Sequence, residues 1–287
     1  MVIVSESTLQ LSPERIRELG IRIVEYPLFL NGAPYPASVS MGREEKDELR
    51  RLILDKNNKV TTAGLQEADL RGMYASLGKE KIISIHQSFN NSRATAEVLR
   101  KVGSEAGGPD IFLFDTEHLT AGFTVQVLEA AKAVRAGMGF EDLKKLLETN
   151  RKSAGHLAAI YDLFFLQRSG RLGLAKAVLG TAMRIIPLLG ATGESGVIKS
   201  VGKAKTFLQA NAKFLELIGG DMERRKARRI SAVIVYCGPH LTEAEHLKSL
   251  ILAAGWDSAV EIHYTNHSNM PHEGPDFYDI GYITYGN

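Results

Sequence analysis

Short β-branched runs, each followed by a polar loop and then a helical pattern, recur through the first half of the chain. That alternation constrains the fold more than any other feature. Val2-Ile3-Val4 precedes Ser12-Pro13-Glu14, where a serine N-cap and a proline at the first helical position open a helix. Ile21-Arg22-Ile23-Val24 reads as a second strand, with Asn31-Gly32 as the turn after it. Ile82-Ile83-Ser84-Ile85 and Ile111-Phe112-Leu113-Phe114 are further strands, leading into helices over residues 92–102 and 119–137. Strand, polar loop and helix in succession predict a parallel sheet with helices on its faces. Ligands of such sheets bind beyond the carboxyl ends of the strands, so the loops opening at Ser5, His86 and Asp115 are where chemistry is expected.

The second half has a different pattern. Residues 140–147 read as an amphipathic helix, residues 160–166 as a strongly apolar helical segment, and residues 203–218 as a long helix. Ser231-Ala232-Val233-Ile234-Val235 reads as a strand. Thr242 with Glu245 forms a capping-box pattern for a helix that Gly255 closes. Strands near Val260-Glu261-Ile262 and over residues 280–284 end the chain. The reading is α/β throughout: a first domain over residues 1–152 with a parallel sheet flanked by helices, and a second over residues 153–287 with a mixed or antiparallel sheet and helices. A length of 287 residues leaves room for both.

Composition narrows the function classes. The net charge of +2 is too balanced for a protein built to neutralise nucleic-acid phosphates. The single cysteine, Cys237, leaves no set for a cysteine zinc site, and its place after a strand suits a packed residue better than a nucleophile. The N-terminus carries Glu6 where a secretory signal needs a basic region. The most apolar run, residues 172–190, is broken by Lys176, Arg184 and Pro187 and reads as a buried helix plus an extended segment rather than a membrane span. A cytoplasmic protein without an integral membrane segment is expected.

No nucleophile elbow, Walker loop, His-Glu-x-x-His or Gly-x-Gly-x-x-Gly motif is present. Five of the eight histidines lie between His240 and His272, but Asn266, Asn269 and Pro271 break helical spacing, so loop histidines are expected rather than a metal site. The run from Arg224 to Arg229 reads as a solvated segment or a partner contact, and lacks the aromatic residues that base stacking needs. Two polar loops remain. Thr61-Thr62-Ala63-Gly64 supplies hydroxyls between charged helices. Gln87-Ser88-Phe89-Asn90-Asn91-Ser92 opens a helix, where free amides favour an anion unless Ser92 simply caps it. Together they suit holding an anionic head group. An enzymatic alternative would use Asp115, His86 or His272 as acid and base in a small-molecule hydrolase or transferase.

These pieces, in their order and spacing, resemble the DegV family of bacterial fatty-acid-binding proteins. Ser5-Glu6-Ser7-Thr8 stands at the family's opening Thr-Asp-Ser-Thr, and Thr61-Thr62-Ala63-Gly64-Leu65 at its Thr-Ser-Gln-Pro loop, with Thr62 retained. Phe89-Asn90-Asn91-Ser92 takes the place of Leu-Ser-Gly-Thr, and Asp115-Thr116 that of an Asp-Ser pair. Leu166-Gln167-Arg168-Ser169-Gly170-Arg171 resembles Leu-Lys-x-Gly-Gly-Arg, Ile186-Pro187-Leu188-Leu189 resembles Lys-Pro-Ile-Leu, and His272-Glu273-Gly274-Pro275 matches His-x-Gly-Pro. The resemblance implies a non-catalytic carrier without a cofactor. Its long-chain fatty acid would lie between the two domains, and a separate fatty acid kinase would phosphorylate the carboxylate. It places Thr62 and Asn90 at the carboxylate, and Arg171, Lys205 and His272 at the exposed head group or kinase partner. Lys205 stands where an arginine is usual, so a bidentate phosphate contact is lost there.

Overall fold

The β-branched runs at the start of the chain form the parallel sheet that their spacing predicts. A computed structural model describes residues 1–105, 111–170, 185–192 and 197–286. Arg171 and most of the apolar run after it lie outside these residues. Strands β1 (Val2–Glu6), β2 (Arg22–Val24), β6 (Ile82–His86) and β7 (Ile111–Asp115) pair in the order β2-β1-β6-β7. All three pairings are parallel. The whole of β6 is buried, as a central parallel strand covered on both faces must be. Helix α1 (Pro13–Leu19) follows β1. The Ser12 side chain accepts from the Arg15 amide at its start, and Gly20 closes it at φ 68°.

A three-stranded antiparallel sheet, not anticipated from the sequence, joins β3 (Leu28–Leu30), β4 (Ala33–Tyr35) and β5 (Val60–Thr62) in the order β4-β3-β5. Asn31 and Gly32, at φ 52° and 86°, form the two-residue turn between β3 and β4. Helix α2 (Arg43–Leu54) leads into β5, and α3 (Glu67–Ser76) and α4 (Arg93–Glu105) flank β6 in sequence.

The remaining strands form one mixed six-stranded sheet, in the order β10-β9-β8-β13-β11-β12. These are β8 (Ala154–Ile160), β9 (Ile186–Thr192), β10 (Lys199–Ala204), β11 (Ala227–Cys237), β12 (Asp257–Tyr264) and β13 (Phe277–Gly286). Only β11 with β12 is parallel.

Three expectations change here. The helical pattern over residues 203–218 begins as β10, and helix α8 (Phe207–Arg224) starts only after Thr206, whose side chain accepts from the Gln209 amide. The apolar segment over residues 160–166 begins at Ile160, the last residue of strand β8, and turns helical only in the short helix α7 (Leu163–Arg168). Helix α9 (Leu241–Ala253) starts one residue before Thr242. Gly238 at φ 70° ends β11 so abruptly that His240 becomes the cap residue, with its Nδ1 3.1 Å from Glu243 Oε1.

Helix α5 (Thr120–Arg135) follows β7 but packs against the six-stranded sheet, and its first nine residues are all buried. At Gly281 of β13 a Cβ would stand 2.0 Å from the Ala121 carbonyl oxygen, so only glycine lets the helix backbone rest on the strand. Helix α6 (Phe140–Ser153) packs beside α5. The consequence is one shared core: Ile3, Ile83 and Phe114 of the parallel sheet, Phe123 and Val127 of α5, and Ala158, Val233 and Ile283 of the mixed sheet belong to a single buried cluster.

Candidate functional site

A cavity of about 290 Å³ opens where the parallel sheet's loops, β5 and the mixed sheet meet, a volume at the lower edge of small-ligand sites. Each wall has a local origin. Strand pleating sends every second residue of β8 to one face, so His156, Ala158 and Ile160 line the cavity together. Leu189 from β9, Leu166 from α7, Leu119 before α5 and Ile198 extend the apolar wall. Asn91, Ser92, Arg93 and Ala94 bring the start of α4 to the opening. Amides there have no partner within the helix and favour an anion.

Of the residues anticipated for the head group, Thr62 and His272 come together. Thr62 ends β5, His272 lies in the short helix α10 (Met270–Glu273), and Thr62 Oγ1 is 2.8 Å from His272 Nε2. Both line the cavity. Asn90 is exposed and outside the lining, which its neighbours Asn91 and Ser92 enter instead. Lys205 lies exposed between β10 and α8, also outside the lining, with its amide donating to Gln209 Oε1.

The groups considered for acid–base work are scattered. His86 is fully buried between Glu6 Oε2, 2.8 Å from Nδ1, and Ser84 Oγ, 2.7 Å from Nε2. Tyr74 donates to the same Ser84 hydroxyl, and Thr8, which lines the cavity, donates to Glu6 Oε1 at 2.8 Å, so the chain Tyr74–Ser84–His86–Glu6–Thr8 runs from inside the sheet to the cavity wall. Asp115 accepts from the amides of Phe89 and Glu117; burial raises its pKa against those bonds. Neither His86 nor Asp115 lines the cavity. Cys237 ends β11 fully buried, and burial pushes its thiol up to about 12, where it is no nucleophile.

The late histidines each serve a separate contact. His263 accepts from the Ser12 amide and meets Glu261, while His267 is buried in the loop after β12. That loop ties the two halves together. Ser268 Oγ is 2.8 Å from Ser7 Oγ, and Gln10 Oε1 accepts from the Asn266 amide and the Thr265 hydroxyl. The basic run from Arg224 spans the turn from α8 into β11, with Lys226 at φ 52°.

A second polar group in the cavity was not anticipated. Thr120 Oγ1 is 2.8 Å from His156 Nε2, which is 2.9 Å from Asp279 Oδ2 on β13, and Glu273 stands in the same wall. Two signals for it were present in the sequence. Asp279 interrupts the apolar and aromatic run Phe277-Tyr278-Asp279-Ile280, and His156 interrupts Ala154-Gly155-His156-Leu157. An ionisable residue in a buried strand calls for a partner.

A family model described as an uncharacterised protein, DegV family, matches residues 1–284. The chain belongs to the DegV family. Among relatives, a DegV domain-containing protein of Deinococcus radiodurans is 28% identical over 246 residues, covering 79% of this chain and 86% of its own. Protein DegV of Bacillus subtilis is 25% identical over 237 residues, with coverage of 81% and 82%. Among solved structures, a DegV family protein from Thermus thermophilus, described as fatty acid binding, superposes with a TM-score of 0.84 at 24% identity, over 99% of both chains. DegV of Bacillus subtilis, described as a fatty acid binding protein, superposes at 0.81 with 22% identity, again over 99% of both. The parallel sheet and the mixed sheet of this DegV-family chain are thus the architecture of those structures.

Proposed function

We propose that this DegV-family chain binds a long-chain fatty acid in the cavity between its two α/β units, residues 1–152 and 153–287, and carries it without catalysing a reaction. The observation that carries the reading is the lining itself: apolar side chains from β8, β9 and α7 stand beside a hydroxyl–imidazole pair, Thr62 with His272, and the start of α4. Burying an acyl chain is worth about 0.8 kcal/mol per CH₂, so the wall supplies affinity and the polar pair need only place the carboxylate. The fatty-acid binding described for the structural relatives supports the same ligand class. A carrier suits the polar groups: of Asp115, His86 and His272, only His272 reaches the cavity, so the three do not assemble into an acid–base pair there.

Placed at the opening near Arg93 and Ala94, both exposed, the carboxylate would be accessible to a fatty acid kinase. Mixing the loaded protein with such a kinase and ATP should consume ATP in proportion to bound acid; no consumption contradicts the partnership. No described helix is long and apolar enough to cross a membrane.

Substituting Thr62→Val tests the ligand site. Loss of a hydrogen bond to a charged group costs about 1.5–3 kcal/mol, so affinity for hexadecanoate should fall by roughly ten- to a hundredfold with the fold intact. Unchanged affinity would remove Thr62 from the site.

A further inference from the structure

The cavity lining includes exposed residues, Arg93 and Ala94, and buried ones, and among the buried apolar side chains stand the polar Thr120 and His156. There the side chains of Thr120, His156 and Asp279 are linked by the 2.8 and 2.9 Å contacts, and the Ala121 amide donates to Asp279 Oδ2 at 3.3 Å. The linkage is incomplete. Glu273 Oε2, His156 Nδ1 and Asp279 Oδ1 are all buried without a hydrogen-bond partner among the described residues. Three orphaned polar atoms in one cluster are a costly arrangement that a purely apolar ligand would leave uncompensated. Thr120 adds a second oddity: a β-branched residue held at φ 40°, a strained conformation that persists only where its surroundings impose it. Burial, reinforced by the charge of Asp279, raises the Glu273 carboxyl well above its ordinary range, which keeps a proton there as a donor. His156 Nε2 is directed at Asp279, which leaves Nδ1 as the ring's unpartnered polar atom.

We propose that the acyl ligand carries a second polar group, a hydroxyl on its chain, which is received by Glu273, His156 and Thr120. A hydroxyl both donates and accepts, and so complements a protonated carboxyl and an imidazole nitrogen in either role. The inference rests on the fatty-acid reading above and narrows it to hydroxy fatty acids.

Equilibrium binding of hexadecanoic acid and of its monohydroxy positional isomers to the full-length protein decides between them. At least one isomer should bind about tenfold or more tightly than the plain acid, since a site built to hydrogen-bond a hydroxyl discriminates against the analogue lacking it. In Glu273→Leu that ratio should fall to one or below. If every isomer binds no better than hexadecanoic acid, the hydroxyl proposal is wrong while the carrier reading stands. If neither kind binds, both are wrong. Full preference retained in Glu273→Leu would remove Glu273 as the receptor. Should that variant fail to fold, the wild-type ratio by itself still separates the two outcomes.

Discussion

His118 and His267 are buried imidazoles whose pKa values burial lowers to about 4. The folded chain refuses a proton that the unfolded chain accepts near pH 6.5, so the stability they confer is complete above that pH and is lost as pH falls toward 4. Each should contribute a slope of about 1.4 kcal/mol per pH unit in that window. Glu273 acts with the opposite sign, because its raised pKa makes the folded chain hold a proton that the unfolded chain releases. Comparing the wild type with His118→Gln isolates one group. The slope of unfolding free energy between about pH 4.5 and 6 should be shallower in the variant by about 1.4 kcal/mol per unit; an unchanged slope would mean that His118 titrates normally in the fold. At this same scale the sequence was uneven in what it disclosed. The motifs of Thr62 and His272 picked out two residues that meet in the cavity wall. His156, Asp279 and Thr120 were not picked out, because their partnership joins residues 36 and 123 positions apart through strands whose pairing no local pattern announces. Asn90 shows the limit of motif alignment: a shift of one or two positions within a loop exchanges an exposed side chain for one in the cavity wall.

Elements with strong local signals were readable, and elements defined by tertiary pairing were not. The serine cap and Pro13 of α1, the Asn31-Gly32 turn and the β-branched core of β6 all follow from short-range chemistry. Strands β8 and β10 went unread because neither has a clear alternating or β-branched run, and pairing with β13 and β9 makes them strands. The decisive element is α5, which places Thr120 in the cavity by lying directly on β13. Gly281→Ala tests that contact. Its methyl would meet the backbone at 2.0 Å from Ala121 O and 2.3 Å from Gly122 N, and neither atom can rotate away. We expect a loss of more than about 3 kcal/mol in denaturant unfolding. A loss below about 1 kcal/mol would show that α5 has room to move from the strand.

At the scale of the whole molecule, two sheets built from successive stretches of chain share one core and are laced by polar contacts across it. Arg15 of α1 binds Glu261 of β12 at 2.8 Å. Burial pushes the Glu261 carboxyl up, but hydrogen bonds from His263 and Arg15, with the charge of Lys132, hold it at about 2. Arg50 of α2 donates to the Pro275 carbonyl at 2.8 Å and to Asp276 at 2.6 Å, bracing the segment just after His272 and Glu273. A ligand that fills the cavity should stabilise the folded chain by mass action. The central claim is that a fatty acid occupies this cavity. It is tested most directly by extracting lipid from the protein purified out of cells, identifying it by mass spectrometry, and measuring the thermal midpoint before and after adding fatty acid back. Close to one fatty acid per chain is expected, with a midpoint restored by several degrees on reloading; recovery of no fatty acid, together with no shift on addition, would contradict the claim.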